Sequence, residues 1–116
     1  MNELNTTSVL TAYYTVEMRD VDFNRDLKLS ALFSLMQEAA ISGSNALGIG
    51  VETIQAEYNV TWVLLKINVI INRMPKLHEK LKIETWPQEP KALLFDRDFL
   101  IFDEQDNIVV QATSIW

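Results

Sequence analysis

The spacing of hydrophobic residues changes twice along this chain, and this change limits the folds that are open to it. Apolar residues recur at every second position over residues 9–18, at every third or fourth position over residues 29–47, and at every second position again in four runs after residue 60. Period two is typical of strands and period 3.6 of helices. The pattern therefore predicts the order β-α-β-β-β-β, an α+β domain whose single long helix packs on a largely antiparallel sheet.

Turn residues set the bounds of the predicted elements. The first strand is predicted over Val9–Met18, and the helix over about residues 29–47 with Ser30 as a candidate N-cap. The later strands are predicted over Thr61–Asn72, Lys80–Trp86, Leu93–Asp103 and Ile108–Trp116. The apolar helix positions are Leu29, Leu32, Phe33, Met36, Ala40 and Leu47. In the strand after the helix we expect the odd positions Val63, Leu65, Ile67, Val69 and Ile71 to face that helix.

Length and composition exclude several classes of protein. The 116 residues are expected to form one domain, and a chain without cysteine has no disulfide framework, thiolate zinc site or cysteine nucleophile. A net charge of −6 argues against a nucleic-acid partner. No signal peptide and no apolar run of the ~18 residues needed to cross a bilayer are seen, so a cytoplasmic protein without a membrane partner is expected. His78 is the only histidine, and neither a metal nor a cofactor is expected.

Five segments come in the order and spacing of the first half of acyl-ACP thioesterases. They are Leu29–Ala40, Thr61–Leu64, Glu84–Pro87, Arg97–Asp103 and Ala112–Trp116. On these residues the chain resembles the N-terminal hotdog repeat of that family. The resemblance implies a hotdog fold, in which a five-stranded antiparallel sheet wraps round one long helix. It also implies hydrolysis of the thioester between a fatty acyl chain and acyl carrier protein, the step that ends elongation in fatty-acid biosynthesis.

The acidic loop before the helix is where hotdog thioesterases place catalytic groups. Compared with the Asp-x-Asn-x-His motif of the family's second repeat, Asp22 matches the aspartate, Asn24 matches the asparagine, and Asp26 stands in place of the histidine. The motif is therefore incomplete, and no catalytic residue is predicted in this chain. Without any catalytic role, Asp20, Asp22 and Asp26 are acidic residues that a helix dipole favours before and within its first turn.

Candidates for substrate contact come from the helix and the aromatic residues. Gln37, if buried, has an amide that can bond the pantetheine arm; the other interpretation is that it bonds a strand backbone or faces solvent. The aromatic candidates for an acyl tunnel are Trp62, Trp86, Phe95 and Phe99, together with Phe102. Ordinary core packing is the alternative for each of them.

The only basic cluster of the chain is Lys76, Lys80, Lys82 and Lys91. By the resemblance, the substrate rides on an acidic carrier protein, and a local positive patch would steer docking despite the net charge of −6. The first three lysines alternate on one predicted strand, where lysine also protects an exposed sheet edge from aggregation. Both interpretations stay open on sequence alone.

Two functional hypotheses follow. The chain ends inside the apolar strand Ile108–Trp116, which favours a truncated product, the N-terminal half of an acyl-ACP thioesterase. This half is expected to be mainly acyl-binding and structural. It is expected to be inactive alone and to have a second hotdog domain as its partner. The alternative is a stand-alone, non-catalytic hotdog module that forms a homodimer and binds an acyl or aromatic thioester. In both cases Trp62, Leu64 and Ile70 are expected on the face opposite the core, where a partner covers them.

Overall fold

The computed structural model describes residues 9–46, 66–88 and 96–115, with the side chains of the helix described as far as residue 42. These residues form five strands, one long helix and one turn of 3₁₀ helix at Met18–Asp20. The strands are β1 (Leu10–Thr15), β2 (Lys66–Ile71), β3 (Lys80–Pro87), β4 (Asp96–Phe102) and β5 (Ile108–Ile115), and the helix is α1 (Leu29–Ala46). None of the described helices is long and apolar enough to cross a bilayer.

The five strands form one sheet in the order β1-β3-β4-β5-β2. Every neighbouring pair is antiparallel. The long helix α1 packs on one face of this sheet, mainly over β3 and β1. The predicted α+β class, element order and helix-on-sheet arrangement are confirmed.

The apolar stripe of α1 differs in part from the predicted one. Its buried residues are Leu32, Leu35, Met36, Ala39 and Ala40, which repeat at the three- and four-residue spacing of one helical face. Leu29 and Phe33 were assigned to that stripe and are exposed instead. The helix begins at Leu29, so Ser30 lies in its first turn, and the Lys28 carbonyl accepts the first helical bond, from the Leu32 amide at 3.0 Å. The N-cap prediction is therefore wrong, and Leu47 lies outside the described residues.

Alternation of side chains on the inner strands completes the core. The buried apolar residues of these strands are Leu81 and Ile83 on β3, Phe99 and Ile101 on β4, and Val109, Val110 and Ala112 on β5. All of them belong to one cluster with the buried residues of α1. The period of two that predicts β3 also places Leu81 and Ile83 on one face, and both are buried.

The first strand ends three residues earlier than the sequence pattern predicts. Leu10, Ala12, Tyr14 and Val16 share the inner face, as the period of two over residues 9–18 indicates. Met18, the next residue at that spacing, is exposed in the 3₁₀ turn. The cause is local, because the Asp20 carboxylate accepts the Glu17 amide at 2.8 Å and caps that turn.

The edge strand β2 follows the predicted parity over its described part. Ile67 and Val69 pack against the core, whereas Ile71 at the strand end is partly exposed. Ile70 lies on the opposite face with 60% of its surface exposed. Val63, Leu65 and the other early positions of this predicted strand are outside the described residues.

Candidate functional site

The loop between β1 and α1 is a small, internally bonded hairpin rather than an open acidic loop. Val21 and Leu27 form an antiparallel bridge, and Asp26 forms another with Lys76. Arg25 at the tip has a φ of 67°, in the left-handed region. The Leu27 amide donates to the Pro75 carbonyl at 2.8 Å, which attaches the loop to the segment before β3. The loop therefore has a fixed backbone, held by bonds to a distant part of the chain.

Asp20 is used to hold the start of this loop. Its Oδ2 accepts the Tyr14 hydroxyl at 2.7 Å and the Glu17 amide at 2.8 Å. The bond to Asp20 raises the pKa of Tyr14, since ionising the phenol would lose the donated proton beside a negative charge. Asp20 thus links β1 to the 3₁₀ turn.

Asp22 is used to shape the tip of the loop. Its Oδ1 accepts the amides of Asn24 at 2.8 Å and of Asp26 at 3.1 Å, a side-chain turn that aspartate commonly makes. The Asp22 amide in turn donates to the Asp26 carbonyl at 3.0 Å. One carboxylate oxygen therefore holds two backbone groups in place.

Asp26, at the position of the motif histidine, forms an ion pair. Its Oδ1 lies 2.6 Å from Lys76 Nζ. One oxygen of the residue that replaces the motif histidine is therefore already held by a lysine. The first turn of α1 contains no acidic residue, so the expectation of acidic residues within that turn is not met. The contacts observed for the three residues are hydrogen bonds of Asp20 and Asp22 and the ion pair of Asp26.

The basic cluster is divided between a turn and a strand. Lys76 precedes β3 and pairs with Asp26, so it does not share the strand face of Lys80 and Lys82. Lys82 Nζ lies 3.3 Å from Asp106 Oδ1 and 4.8 Å from the centre of the Phe102 ring. Its positive charge is therefore partly balanced. Lys91 lies outside the described residues.

The edge-protection interpretation of these lysines is wrong. Strand β3 lies between β1 and β4 and so is not an edge of the described sheet. Lys80 and Lys82 instead occupy the face of β3 opposite Leu81 and Ile83. They point away from α1.

The substrate-contact candidates lie in three different environments. Gln37 is exposed on α1, in agreement with the interpretation that it faces solvent, and the burial on which the pantetheine contact depended is not found. Phe99 is 1% exposed and faces the core, while Trp86 is half-buried on the other face of the sheet. A single tunnel cannot contact both faces of one sheet, so the prediction that Trp86 and Phe99 line one tunnel is wrong. Trp62 and Phe95 lie outside the described residues.

Three polar side chains lie on the core face of the inner strands, which the sequence analysis did not assign to a site. They are Thr85 on β3, Arg97 on β4 and Ser114 on β5, all buried. Arg97 Nη1 donates to Thr85 Oγ1 at 3.2 Å, and Thr85 Oγ1 donates to the Asp98 carbonyl at 2.8 Å. Ser114 Oγ donates to the Arg97 carbonyl at 3.2 Å. We call these three residues the polar row.

The signal for the polar row is present in the sequence as strand parity. Arg97 lies two residues before Phe99 and four before Ile101, so alternation places it on the apolar face. Asp98 takes the opposite face, where its carboxylate accepts Gln88 Nε2 at 2.6 Å and Thr113 Oγ1 at 2.9 Å. Arg97 thus places a positive charge on the core face of β4, and Asp98 places a negative charge on the outer face.

Metal chemistry has no support in the described part of the chain. Across residues 9–46, 66–88 and 96–115, no group of three or more acidic or histidine side chains is placed to hold a metal ion. His78 is exposed in the turn before β3, with a φ of 71°.

Comparison with known proteins gives the family. The protein-family model of the acyl-ACP thioesterase N-terminal domain matches residues 7–116 of the sequence. The chain belongs to the acyl-ACP thioesterase family. Among curated relatives, it is 26% identical over 111 residues to an oleoyl-acyl carrier protein thioesterase of Coriandrum sativum and 22% identical over 114 residues to a palmitoyl-acyl carrier protein thioesterase of Gossypium hirsutum. These matches cover 89% and 93% of this chain.

Solved structures agree with the fold. An acyl-ACP thioesterase from Bacteroides thetaiotaomicron superposes with a TM-score of 0.89 at 28% identity, over 97% of this chain and 46% of that one. A DHNA-CoA thioesterase from Staphylococcus aureus superposes with a TM-score of 0.83 at 14% identity, over 92% of this chain and 71% of that one, which shows the fold alone. The hotdog fold expected from the sequence is confirmed.

The chain spans only part of its relatives. It covers 30% of the Coriandrum protein, 28% of the Gossypium protein and less than half of the Bacteroides structure. The matched region is the family's N-terminal hotdog domain.

Proposed function

We propose that this chain is the substrate-holding half of a two-hotdog acyl-ACP thioesterase, in which a second half supplies the catalytic base. The reaction is hydrolysis of a fatty acyl thioester on acyl carrier protein, releasing a free fatty acid. The observation that carries the proposal is that both acidic residues of the motif already have structural contacts. Asp22 accepts two backbone amides, and Asp26, at the position of the motif histidine, forms an ion pair with Lys76.

The chemistry explains why that observation matters. Hydrolysis needs a base that takes a proton from water as the water attacks the thioester carbon, and a donor for the carbonyl oxygen as negative charge develops on it. Asp22 Oδ1 already accepts two backbone amides, and Asp26 already pairs with an ammonium group. Both carboxylates therefore already have structural contacts, and among the described residues neither bonds an imidazole that could take the proton.

Acyl binding would use the interior of this half. An acyl chain between the sheet and α1 would contact the face that carries Phe99, and each buried CH₂ contributes about 0.8 kcal/mol. Trp86 and the exposed Gln37 are outside that space, so any contact they make with substrate would be to the pantetheine arm or the carrier protein.

Carrier docking would depend on the outer face of β3. Lys80 is exposed there, while Lys82 is partly neutralised by Asp106 and by Glu84, whose Oε2 lies 3.8 Å from Lys82 Nζ. We therefore expect Lys80 to contribute more than Lys82 to attraction of an acidic carrier. Replacement of Lys80 by glutamate would weaken docking at low salt, and the same change at Lys82 would have a smaller effect.

A second hotdog partner is supported by exposed apolar surface. Ile70 on the face of β2 opposite the core is largely exposed. Such a residue is stabilised when a second hotdog half or a second copy of the chain covers it. The alternative function, a stand-alone module that dimerises and binds a thioester without hydrolysing it, shares this surface and differs in needing no second half.

Reconstitution separates these two proposals. Acyl-ACP hydrolysis is measured with the 116-residue chain alone, with a polypeptide carrying the second hotdog repeat alone, and with the two mixed. We expect turnover only in the mixture. Turnover by the chain alone that disappears in Asp22→Ala/Asp26→Ala would show that the acidic loop is catalytic and would overturn the proposal. Binding of the thioester by the chain, with no turnover in the mixture, would favour the stand-alone module.

A further inference from the structure

The polar row contains a buried cation whose charge has no carboxylate partner among the described residues. Arg97 is 5% exposed, and Thr85 Oγ1 is the acceptor that its guanidinium contacts there. A guanidinium has five N–H donors, and burial without acceptors is strongly unfavourable for a charged group. Burial also lowers the pKa of Arg97, although a guanidinium remains protonated at neutral pH.

The hydroxyl groups of Thr85 and Ser114 hold Arg97 in place. The other N–H groups of its guanidinium have no acceptor among the described residues. The Thr85 proton is donated to the Asp98 carbonyl, and the Ser114 hydroxyl donates to the Arg97 carbonyl. The remaining hydrogen-bond capacity of Arg97 therefore consists of donors on a planar, positively charged fork. Such a group fits an anion, and a carboxylate in particular by two parallel hydrogen bonds.

The polar row lies at one end of the sheet. Arg97 is the second residue of β4, and it lies opposite Ser114, the penultimate residue of β5. Thr85 is two residues from the end of β3. All three residues thus lie within two residues of the same end of the sheet.

Towards the middle of the sheet, the neighbours of the polar row are apolar. Two residues further into the sheet, the same face carries Ile83 on β3, Phe99 on β4 and Ala112 on β5. An anion bound by Arg97 therefore has apolar surface beside it. That combination favours a carboxylate with a hydrocarbon tail over a polar phosphate ester.

We propose that Arg97 is the centre of a binding site for the carboxylate of a free fatty acid, held in place by Thr85 and Ser114. This inference rests on the proposed function, since a free fatty acid is the product of acyl thioester hydrolysis. The site makes this half of the enzyme a product-binding element. Its occupancy would make hydrolysis by the complete enzyme sensitive to accumulated fatty acid.

The test is calorimetric titration of the 116-residue chain with decanoate, below its critical micelle concentration, and with decan-1-ol, which has the same tail without the charge. The variants are Arg97→Met and Arg97→Lys, and Arg73→Met is the matched control at an arginine outside the site. We expect decanoate to bind the parent chain about tenfold more tightly than decan-1-ol, the worth of one charge-assisted contact. Arg97→Met should lose that preference, and Arg73→Met should keep it.

Arg97→Lys keeps the proposal testable if Arg97→Met does not fold. It retains the charge and loses the planar fork, so decanoate should bind about three- to tenfold more weakly than to the parent chain. Equal affinities for decanoate and decan-1-ol in the parent chain, or unchanged decanoate affinity in both Arg97 variants, would overturn the proposal. The experiment contains no thioester and no second half, so its result is independent of whether the reconstituted enzyme hydrolyses substrate.

Discussion

The guanidinium of Arg73 contacts both carboxylate oxygens of Glu79, with Nη1 3.0 Å from Oε1 and Nη2 against Oε2. Nη2 also lies 3.2 Å from Asp103 Oδ2. Arg73 follows β2, Glu79 precedes β3, and Asp103 begins the turn after β4. One side chain therefore joins three connections of the sheet at the end from which the acidic loop emerges.

Replacement of Arg73 by glutamine should destabilise the chain. The pair with Glu79 is two-pronged but partly exposed, so we expect a loss of about 1 kcal/mol in the free energy of unfolding. Urea denaturation followed by circular dichroism measures it. Arg19→Gln is the matched control, because the ion pair of Arg19 with Glu17 is much more exposed and its removal should change little. Equal effects of the two changes would contradict this prediction.

Acid should destabilise the same junction. Hydrogen bonding by Arg73 lowers the pKa of Glu79 below its ordinary 4.5, and the Asn107 amide lowers the pKa of Asp103 below its ordinary 3.8. Because both pKa values are lowered by folding, the stabilisation is fully present above the ordinary values and is lost as pH falls through the lowered ones. The free energy of unfolding should be flat from neutral pH to about pH 5 and fall below about pH 4.5.

Asp103→Asn tests how much Asp103 contributes to the pH dependence of the free energy of unfolding. The amide oxygen can still accept the Gln105 and Asn107 amides, which lie at 3.0 and 2.9 Å from Asp103 Oδ1, but it carries no charge to titrate. The fall in unfolding free energy between pH 5 and pH 3 should therefore be smaller in this variant. An unchanged slope would show that Asp103 is not one of the titrating groups.

The fold follows from sequence to a large extent because parity and period are local properties. Alternation places Ile83 and Phe99 inward on their strands, and both are buried. The two errors, at Met18 and Phe33, have different causes. Met18 lies outside the strand because the Asp20 carboxylate accepts the Glu17 amide and begins the 3₁₀ turn. Phe33 has helical spacing with other apolar residues, but the buried stripe of α1 runs through Leu35 instead.

The candidate site was less predictable from sequence. The sequence shows that Asp26 stands where the motif has a histidine. It does not show that Asp26 forms an ion pair with Lys76, 50 residues away. A contact across such a separation leaves no local pattern. The polar row is different, since alternation along β4 places Arg97 on the same face as Phe99 from the sequence alone.

Phe99 should be important for stability whether or not it contacts an acyl chain. It is almost fully buried at the centre of the sheet, and Phe99→Ala should cost about 3–5 kcal/mol through lost burial and a residual cavity. Phe23 at the loop tip is 97% exposed and provides the control, since Phe23→Ala should leave the unfolding midpoint nearly unchanged. Thermal and urea denaturation of both variants would test the contrast, which fails if Phe99→Ala is as stable as the parent chain.

Self-association should depend on the outer face of β2. We expect the isolated chain to form dimers at micromolar concentrations, and Ile70→Lys should weaken them by placing a charge in the covered patch. Tyr13→Lys, on β1 at the opposite edge of the sheet, is the control and should leave association unchanged. Sedimentation velocity over a concentration series distinguishes the outcomes. A parent chain that stays monomeric throughout would contradict the prediction.

Asp22 should be important for structure and unimportant for hydrolysis by this chain alone. Asp22→Ala removes the acceptor of two backbone amides and should cost about 1 kcal/mol, whereas Asp22→Asn keeps an oxygen at that position and should cost less. The rate of hydrolysis of acyl-ACP and acyl-CoA should be near background in the parent chain and in both variants, because a general base contributes about 10²–10⁴-fold and Asp26 stands in place of the motif histidine. The two measurements separate the roles: a change in stability without a change in rate is expected of a residue that shapes the loop. A rate that falls with Asp22→Asn while stability is retained would instead make the carboxylate a base, and the division of work between two halves would be wrong.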